Sequence, residues 1–361
     1  MAYTTINKST EHFNTVLYSG DDATTRNITG FGFQPDWIWN KARSAAYNHY
    51  LIDSLRGSPG KVLISNLTNA EDNDSGFQNS FKGFVSDGNT IGQVGGYEVN
   101  DSGVNYVQWG WKAGTTGSGT STGSGTGKAY SYSVNTTAAF SIVKYKGNGT
   151  AGHTIPHHLG TTPDIIIAKR LSAANNWSVY HKDSFVSQSD PWVLYLNTTA
   201  GKASDVNVWG NSSVTINSTV FSLGDYEGTN YNDSDYIAYC FTEKTGYSKF
   251  GKYTGNANAD GTFVYTGFKP NFLLIKCISD TDHWILADNK RPGFNDNYDL
   301  YPNLNNAEYT GTAYQTDILS NGFKLRSTDA ISNGSQTYIY MAFAAEPLVA
   351  NVGQGIPATA R

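Results

Sequence analysis

Pro35-Asp36-Trp37-Ile38-Trp39-Asn40-Lys41 reads as an apolar strand that begins at a proline and stops at a lysine. It returns as Pro163-Asp164-Ile165-Ile166-Ile167-Ala168-Lys169 and as Pro270-Asn271-Phe272-Leu273-Leu274-Ile275-Lys276. Upstream of each copy a tyrosine leads into a small-residue turn, at Tyr18-Ser19-Gly20, Tyr145-Lys146-Gly147 and Tyr253-Thr254-Gly255. Downstream a tyrosine-led strand closes the unit, at Tyr106-Val107-Gln108-Trp109, Tyr236-Ile237-Ala238-Tyr239 and Tyr338-Ile339-Tyr340-Met341. Proline and closing tyrosine stand 71, 73 and 68 residues apart in the three copies. A period of roughly a hundred residues exceeds the roughly 20 to 50 of solenoid repeats, so the pattern predicts three similar domains in tandem.

Length agrees, because 361 residues exceed what one core usually organises. The run Ile165-Ile166-Ile167 suits a strand covered on both faces, and turn signals such as Asp87-Gly88-Asn89 and Ser320-Asn321-Gly322 recur at short intervals. No stretch carries a capped helical stripe. The fold class expected is therefore all-β, three tandem β-sandwiches of jelly-roll type with almost no helix. Residues 114–127 consist wholly of Gly, Ser and Thr, the composition of a flexible coil, which makes 114–138 a linker. The remaining boundaries follow: an N-terminal docking segment at 1–10, sandwiches at 11–113, 139–244 and 248–346, and a C-terminal tail at 347–361. Only Thr245-Gly246-Tyr247 separates the last two sandwiches, which predicts a rigid pair.

Charged residues make up 15% of the chain, aromatics 14%, and the net charge is −5. Without a basic block, nucleic acid is not an expected partner. The apolar runs are of strand length, short of the roughly 18 to 20 residues of a membrane helix, so membrane insertion is not expected either. Residues Met1 to Lys8 lack the apolar core of a secretory signal. Cys240 and Cys277 lie in apolar strand patterns and read as buried thiols. Triplets such as Asn66-Leu67-Thr68 and Asn148-Gly149-Thr150 read as turn chemistry.

Catalysis finds little support. A glycoside hydrolase needs two carboxylates across a sugar, whereas the recurrent acid, at Glu98, Glu227 and Asp329, occurs once per unit and fits a turn before the closing strand. His153, His157 and His158 cluster in the second copy alone and read as a local turn rather than zinc ligands. Asp72-Asn73-Asp74 and Asn232-Asp233-Ser234-Asp235 read as solvated loops rather than calcium sites. No catalytic residue, metal or cofactor is expected. A late aromatic, Phe84, Phe221 and Phe323, recurs as an inward core plug.

The most suggestive recurrence is a ring eight positions beyond each strand-ending lysine: His49, Trp177 and Trp284. A polar residue precedes each, at Asn48, Asn176 and Asp282. Flat rings beside amides suit sugars, stacking on their apolar face and bonding their hydroxyls, and these six are the glycan-binding candidates. The alternative is that the rings open a strand and pack inward.

Gly32-Phe33-Gln34-Pro35-Asp36-Trp37-Ile38-Trp39-Asn40-Lys41, Ile52-Asp53-Ser54-Leu55-Arg56-Gly57 and Trp109-Gly110-Trp111-Lys112-Ala113-Gly114 resemble an uncharacterised domain family of tailed phages, notably of marine bacteria and cyanobacteria. The ending Gly355-Ile356-Pro357-Ala358-Thr359-Ala360-Arg361 is similar too, and the likeness is sharpest in the first copy. It implies lectin-like sandwich modules on a virion, made in the host cytoplasm and released by lysis. It carries over no catalytic or binding residue. The expected function is a tail-fibre or appendage subunit that binds host-surface glycan and other virion proteins, as a homo-oligomer with a trimer favoured. The alternatives are a capsid decoration or head-fibre protein and, behind both, a polysaccharide-degrading enzyme.

Overall fold

Each proline-led strand runs through the middle of a large antiparallel sheet and is buried along nearly its whole length. The computed structural model describes residues 4–57, 59, 61–72, 79–92, 98–184, 192–210, 215–291, 298–311 and 315–347. In unit 1 the strand order is Phe13–Ser19, Asn105–Trp111, Trp37–Ala42, Tyr50–Asp53, Leu63–Ile64. Unit 2 repeats it with Phe140–Lys146, Asp235–Phe241, Ile165–Arg170, Ser178–His181, Trp192–Tyr195, and unit 3 with Ser248–Thr254, Thr337–Pro347, Phe268–Cys277, Trp284–Asp288. A three-stranded sheet covers the outer face of each: Arg26–Thr29, Gly88–Ile91 and Phe81–Val85 in unit 1. Its counterparts are Thr122–Gly123, His153–Pro156 and Val220–Leu223, then Phe263–Tyr265, Gly322–Leu325 and Thr316–Leu319. The fold is all-β and built of sandwiches; helix is confined, among the described residues, to three pieces of three or four residues and to Asn79 and Ser80.

Alternation along the central strands sets two cores, because successive side chains leave a strand on opposite faces. Ile38, Ile166 and Leu273 point outward into the separate core of their own sandwich. Trp37, Trp39, Ile165, Ile167, Phe272 and Leu274 point inward into one cluster that all three units share. Phe343 sits among rings of every unit, with centroids 5.2 Å from Phe13, 5.6 Å from Trp111, 5.7 Å from Phe241 and 6.0 Å from Phe272. A row of sandwiches with independent cores gives way to three sheets closed face to face around a common aromatic centre.

Two boundary expectations change with it. The Gly/Ser/Thr stretch is no coil: Thr115–Thr120 pairs with Ala129–Asn135, which pairs with the opening strand of unit 2 and extends that sheet to eight strands. Glycine is needed there because Tyr132 and Tyr130 lie across the strand, where a Cβ at Gly117 or Gly119 would meet their hydroxyls at 2.5 and 2.8 Å. Nor is 4–10 a free docking arm, since Ile6 enters the shared core, Thr4 Oγ1 donates to the Thr245 carbonyl at 2.6 Å and the Ser9 N–H donates to Glu346 Oε2 at 3.3 Å. Residues 348–361 and Asn73 and Asp74 lie outside the described residues. Cys240 and Cys277 are free, buried thiols.

Phe343→Ala should cost about 3 to 5 kcal/mol, the range for a buried Phe cut to Ala, and wild type should unfold in guanidinium in one transition seen alike by fluorescence and circular dichroism. Three separable transitions would contradict the shared core.

Candidate functional site

The three rings among the six sequence candidates lie inside the protein, each at an interface between units, and the three polar residues beside them are half-buried. His49, Trp177 and Trp284 are 0%, 0% and 3% exposed. Trp177 Nε1 donates to the Ile64 carbonyl of unit 1 and Trp284 Nε1 to the Tyr195 carbonyl of unit 2, both at 3.0 Å. His49 meets the Tyr301 backbone of unit 3. The flanking amides hold the same layer: Asn66 Nδ2 donates to Asn48 Oδ1 at 2.7 Å and Asn197 Nδ2 to Asn176 Oδ1 at 2.8 Å. In unit 3 His283 takes that place against Asn303, while the Asp282 carbonyl accepts from Lys276. Their recurrence is real, yet a fully covered ring offers no face to a sugar. The two indoles pack inward because each reaches a fifth-strand carbonyl of the neighbouring unit, whereas the His49 Nδ1 accepts from Trp39 Nε1 at 2.9 Å within its own unit.

The strand-ending lysines form the next layer in the same cyclic sense. Lys169 Nζ donates to Thr68 O at 3.2 Å, Lys276 Nζ to Thr199 O at 2.9 Å and Lys41 Nζ to Asn305 O at 3.2 Å. At the other end of the interface, Tyr239 donates to Asp53 Oδ2 at 2.8 Å and Trp109 Nε1 to Asp288 Oδ2 at 3.0 Å, and each aspartate pairs with the arginine three residues on, Arg56 or Arg291. Between units 2 and 3 His181 replaces the aspartate and lies 3.3 Å from the Tyr340 carbonyl. Unit 2 grips unit 1, unit 3 grips unit 2, and unit 1 grips unit 3, a closed ring of head-to-tail interfaces within one chain.

Ser121, His153 and Asn230 also line up. Asn230 Nδ2 donates to Thr150 O and Gly224 O, so its Oδ1 accepts from His153 Nδ1 at 3.0 Å, and His153 Nε2 accepts from the Ser121 hydroxyl at 2.6 Å. That is the order of nucleophile, base and orienter. Ser121 is nevertheless buried and already accepts the Lys128 N–H at 2.8 Å. The counterparts Asn100 and Asn333 clamp the same loop in units with no histidine there. The line is a staple for the added hairpin. Sequence reading settled on the acids Glu98, Glu227 and Asp329 and passed over these asparagines, whose spacing of six, six and five residues before the closing tyrosine was the available signal.

A family profile matches residues 8–347, nearly the whole chain. The chain belongs to DUF7483, a domain of unknown function. No curated protein matches it. Among the described residues of this DUF7483 protein, three large rings are exposed: Tyr231 of unit 2, 54% exposed with the Arg170 guanidinium 4.7 Å over its face, and two on unit 3. Phe263 and Tyr265, 45% and 57% exposed, alternate out of the edge strand of its small sheet, where units 1 and 2 place Asn27 and Thr29, and Thr154 and Pro156. Behind Phe263 runs a charged ladder in which Asp260 bonds Lys324 at 2.6 Å and Arg326 pairs with Asp317 at 2.5 Å.

Beside Tyr265 opens a cleft of about 150 Å³ between units 2 and 3, walled by Tyr265, Thr266 and Gly267 and by Glu243, Ser248 and Lys249. Burial pushes the Glu243 carboxyl up, but the Lys182 hydrogen bond and the charges of Lys182 and Lys249 outweigh it and hold the group below its ordinary value. The cleft thus sets a fixed acceptor and an ammonium beside a bare ring. A second groove, of about 240 Å³, lies along Tyr130, Ser131, Lys144 and Lys146, yet Tyr130 there is taken up by the stacked His158 ring, 5.7 Å away. An enclosed space among Ile165, Leu274, Trp284 and Met341, about 10 Å³, has room for no more than about one water and is a packing void.

Trp177→Phe keeps an aromatic ring and removes one of two donors from the Ile64 carbonyl, which still accepts the Leu67 N–H at 3.3 Å, so it should lower stability by about 0.5 to 1.5 kcal/mol in urea unfolding. Burial lowers Lys41 and Lys169 to about 7 and Lys276 to about 8 against 10.5 for a free lysine. The unfolded chain therefore binds more protons just above 8, and stability should rise with pH from about 8 to 8.5, before the buried thiols and tyrosines, whose pKa values burial raises, act in the opposite sense. Burial also lifts Asp299 to about 8, which acts in the opposite sense only below that pH. A urea midpoint that falls between pH 8 and 8.5 would contradict the lysine layer.

Proposed function

We propose that this is a virion surface protein of a tailed phage, a tail-fibre or related appendage subunit, which binds host-surface glycan through the Phe263 and Tyr265 face of unit 3. The observation that carries the glycan reading is the exposed Tyr265 ring beside a cleft that holds an ionised carboxylate and a lysine. An aromatic platform with a few fixed polar groups is what a sugar uses, one face stacked and the hydroxyls bonded. A single shallow cleft binds weakly, and copies on one particle act together through effective concentration. Homo-oligomerisation of the chain and contacts with other virion proteins belong to the same proposal. The placement on a virion rests on the resemblance to tailed-phage proteins.

A capsid decoration or head-fibre role is the second reading. It is favoured by the buried rings and lysines, which are spent on holding three units into one rigid body. The enzymatic reading is weaker, because a polysaccharide hydrolase places two carboxylates across one groove, and in this cleft Glu243 stands with Lys182 and Lys249.

Tyr265→Ala should weaken glycan binding about tenfold, equivalent to about 1.4 kcal/mol, on an array of host-surface polysaccharides, while Trp177→Phe leaves it unchanged. Equal loss in both variants would place the site elsewhere. An inert wild-type protein, together with density on the capsid lattice in electron cryomicroscopy of the particle, would establish the decoration role instead.

A further inference from the structure

The interiors of the three sandwiches differ at one level. Opposite Ile155 and Val264 the small sheets of units 2 and 3 carry Phe221 and Phe323, both fully buried. At the matching place in unit 1, opposite Ile28, stands Asn89, and Phe84 belongs to the neighbouring strand and is only half-buried. Across the sandwich, unit 2 presents Ala168 with Ala238 and unit 3 presents Ile275 with Tyr340, whereas unit 1 presents the cross-strand pair Asn40 and Gln108. Phe323 packs against Tyr253 and Tyr340 with centroids 5.9 and 5.4 Å away, and Tyr18 and Gln108 hold those two positions in unit 1.

Asn40, Asn89 and Gln108 are each 0% exposed. Both amide atoms of Asn89, both of Gln108 and Nδ2 of Asn40 have no protein partner in hydrogen-bond geometry. Gln108 lies within reach of the Tyr18 hydroxyl, but that group already meets the Val99 carbonyl at 2.7 Å and Asn40 Oδ1 at 2.9 Å. A hydroxyl has one proton to give but can accept the Gln108 amide N–H, and turning the Asn40 amide over would satisfy Nδ2 only by stranding Oδ1, so Gln108 Oε1, both Asn89 amide atoms and one Asn40 atom stay unmet either way. Buried amides are almost always bonded. Here donors and acceptors are left unmet at one level of the two facing sheets, where the sister units are apolar or aromatic.

We propose that the interior of unit 1 is a binding site for a small neutral hydroxyl-bearing guest, held by Asn40, Asn89 and Gln108. The chemistry follows from the unmet atoms. A cation would leave the amide N–H groups without acceptors, and an anion would leave the amide oxygens without donors, whereas a hydroxyl serves both. Ordered water and the hydroxyls of a polyol share that chemistry. Glu98, an acid of the same unit, is engaged by the Tyr50 hydroxyl at 3.2 Å.

The test is a high-resolution crystal structure of the full chain, from crystals grown without polyol and from crystals soaked in glycerol. Oxygen density about 2.7 to 3.2 Å from at least two of the three amides supports the site; water in both crystals assigns it to solvent, and glycerol in its place assigns it to a polyol. Amides paired with one another, with no non-protein oxygen among them, would overturn the proposal. Urea unfolding of Asn89→Leu gives an independent reading: a lower midpoint is expected if the amide holds a guest, and a higher one, from removal of an unmet buried amide, would overturn it.

Discussion

The architecture depends on the inner face of the proline-led strands. Trp37, Trp39, Ile165, Ile167, Phe272 and Leu274 are too apolar to face water, and the small sheet that each sandwich owns already occupies the opposite face. Three sheets each with one unsatisfied face solve the problem for one another, since closing them around a single centre leaves none exposed. Phe343, in van der Waals range of rings from every unit, marks the middle of that solution.

Apolar contact alone does not fix how three sheets meet, because hydrophobic burial has no direction. Direction comes from the polar layers. Lysine to carbonyl recurs at all three interfaces, and indole to carbonyl and tyrosine or indole to aspartate at two each, with a donor from one unit and an acceptor from its neighbour. Such groups are costly to bury unless paired, so any rotation of a unit that broke one pair would break its layer. The residues that give the sequence its repeat are therefore those that fix the assembly.

Much of this was legible in the chain. Period, strand character and near absence of helix followed from the Pro35, Pro163 and Pro270 segments and the closing tyrosines, because alternation and turn chemistry are local signals. Closure was not, since nothing in one strand reports which of its two apolar faces meets another unit. His49, Trp177 and Trp284 were found for their spacing and misread for the same reason: the acceptors of the two indoles lie 113 and 89 residues away in the chain. The 114–127 segment misled because its glycines resemble a linker until Tyr130 and Tyr132 are seen lying across them. Phe263 and Tyr265 went unnoticed because they recur in no other unit.

Three identical subunits on a true axis would have built a similar ring, but every surface change would then appear in triplicate. Joining the units in one chain removes that obligation. Symmetry persists where the units touch, in the lysines, the rings and the carbonyls that receive them. It lapses elsewhere, so unit 1 carries buried amides, unit 2 an added hairpin and unit 3 an aromatic face. Covalent linkage lets one scaffold present three different surfaces on fixed bearings, each free to diverge without disturbing the other two.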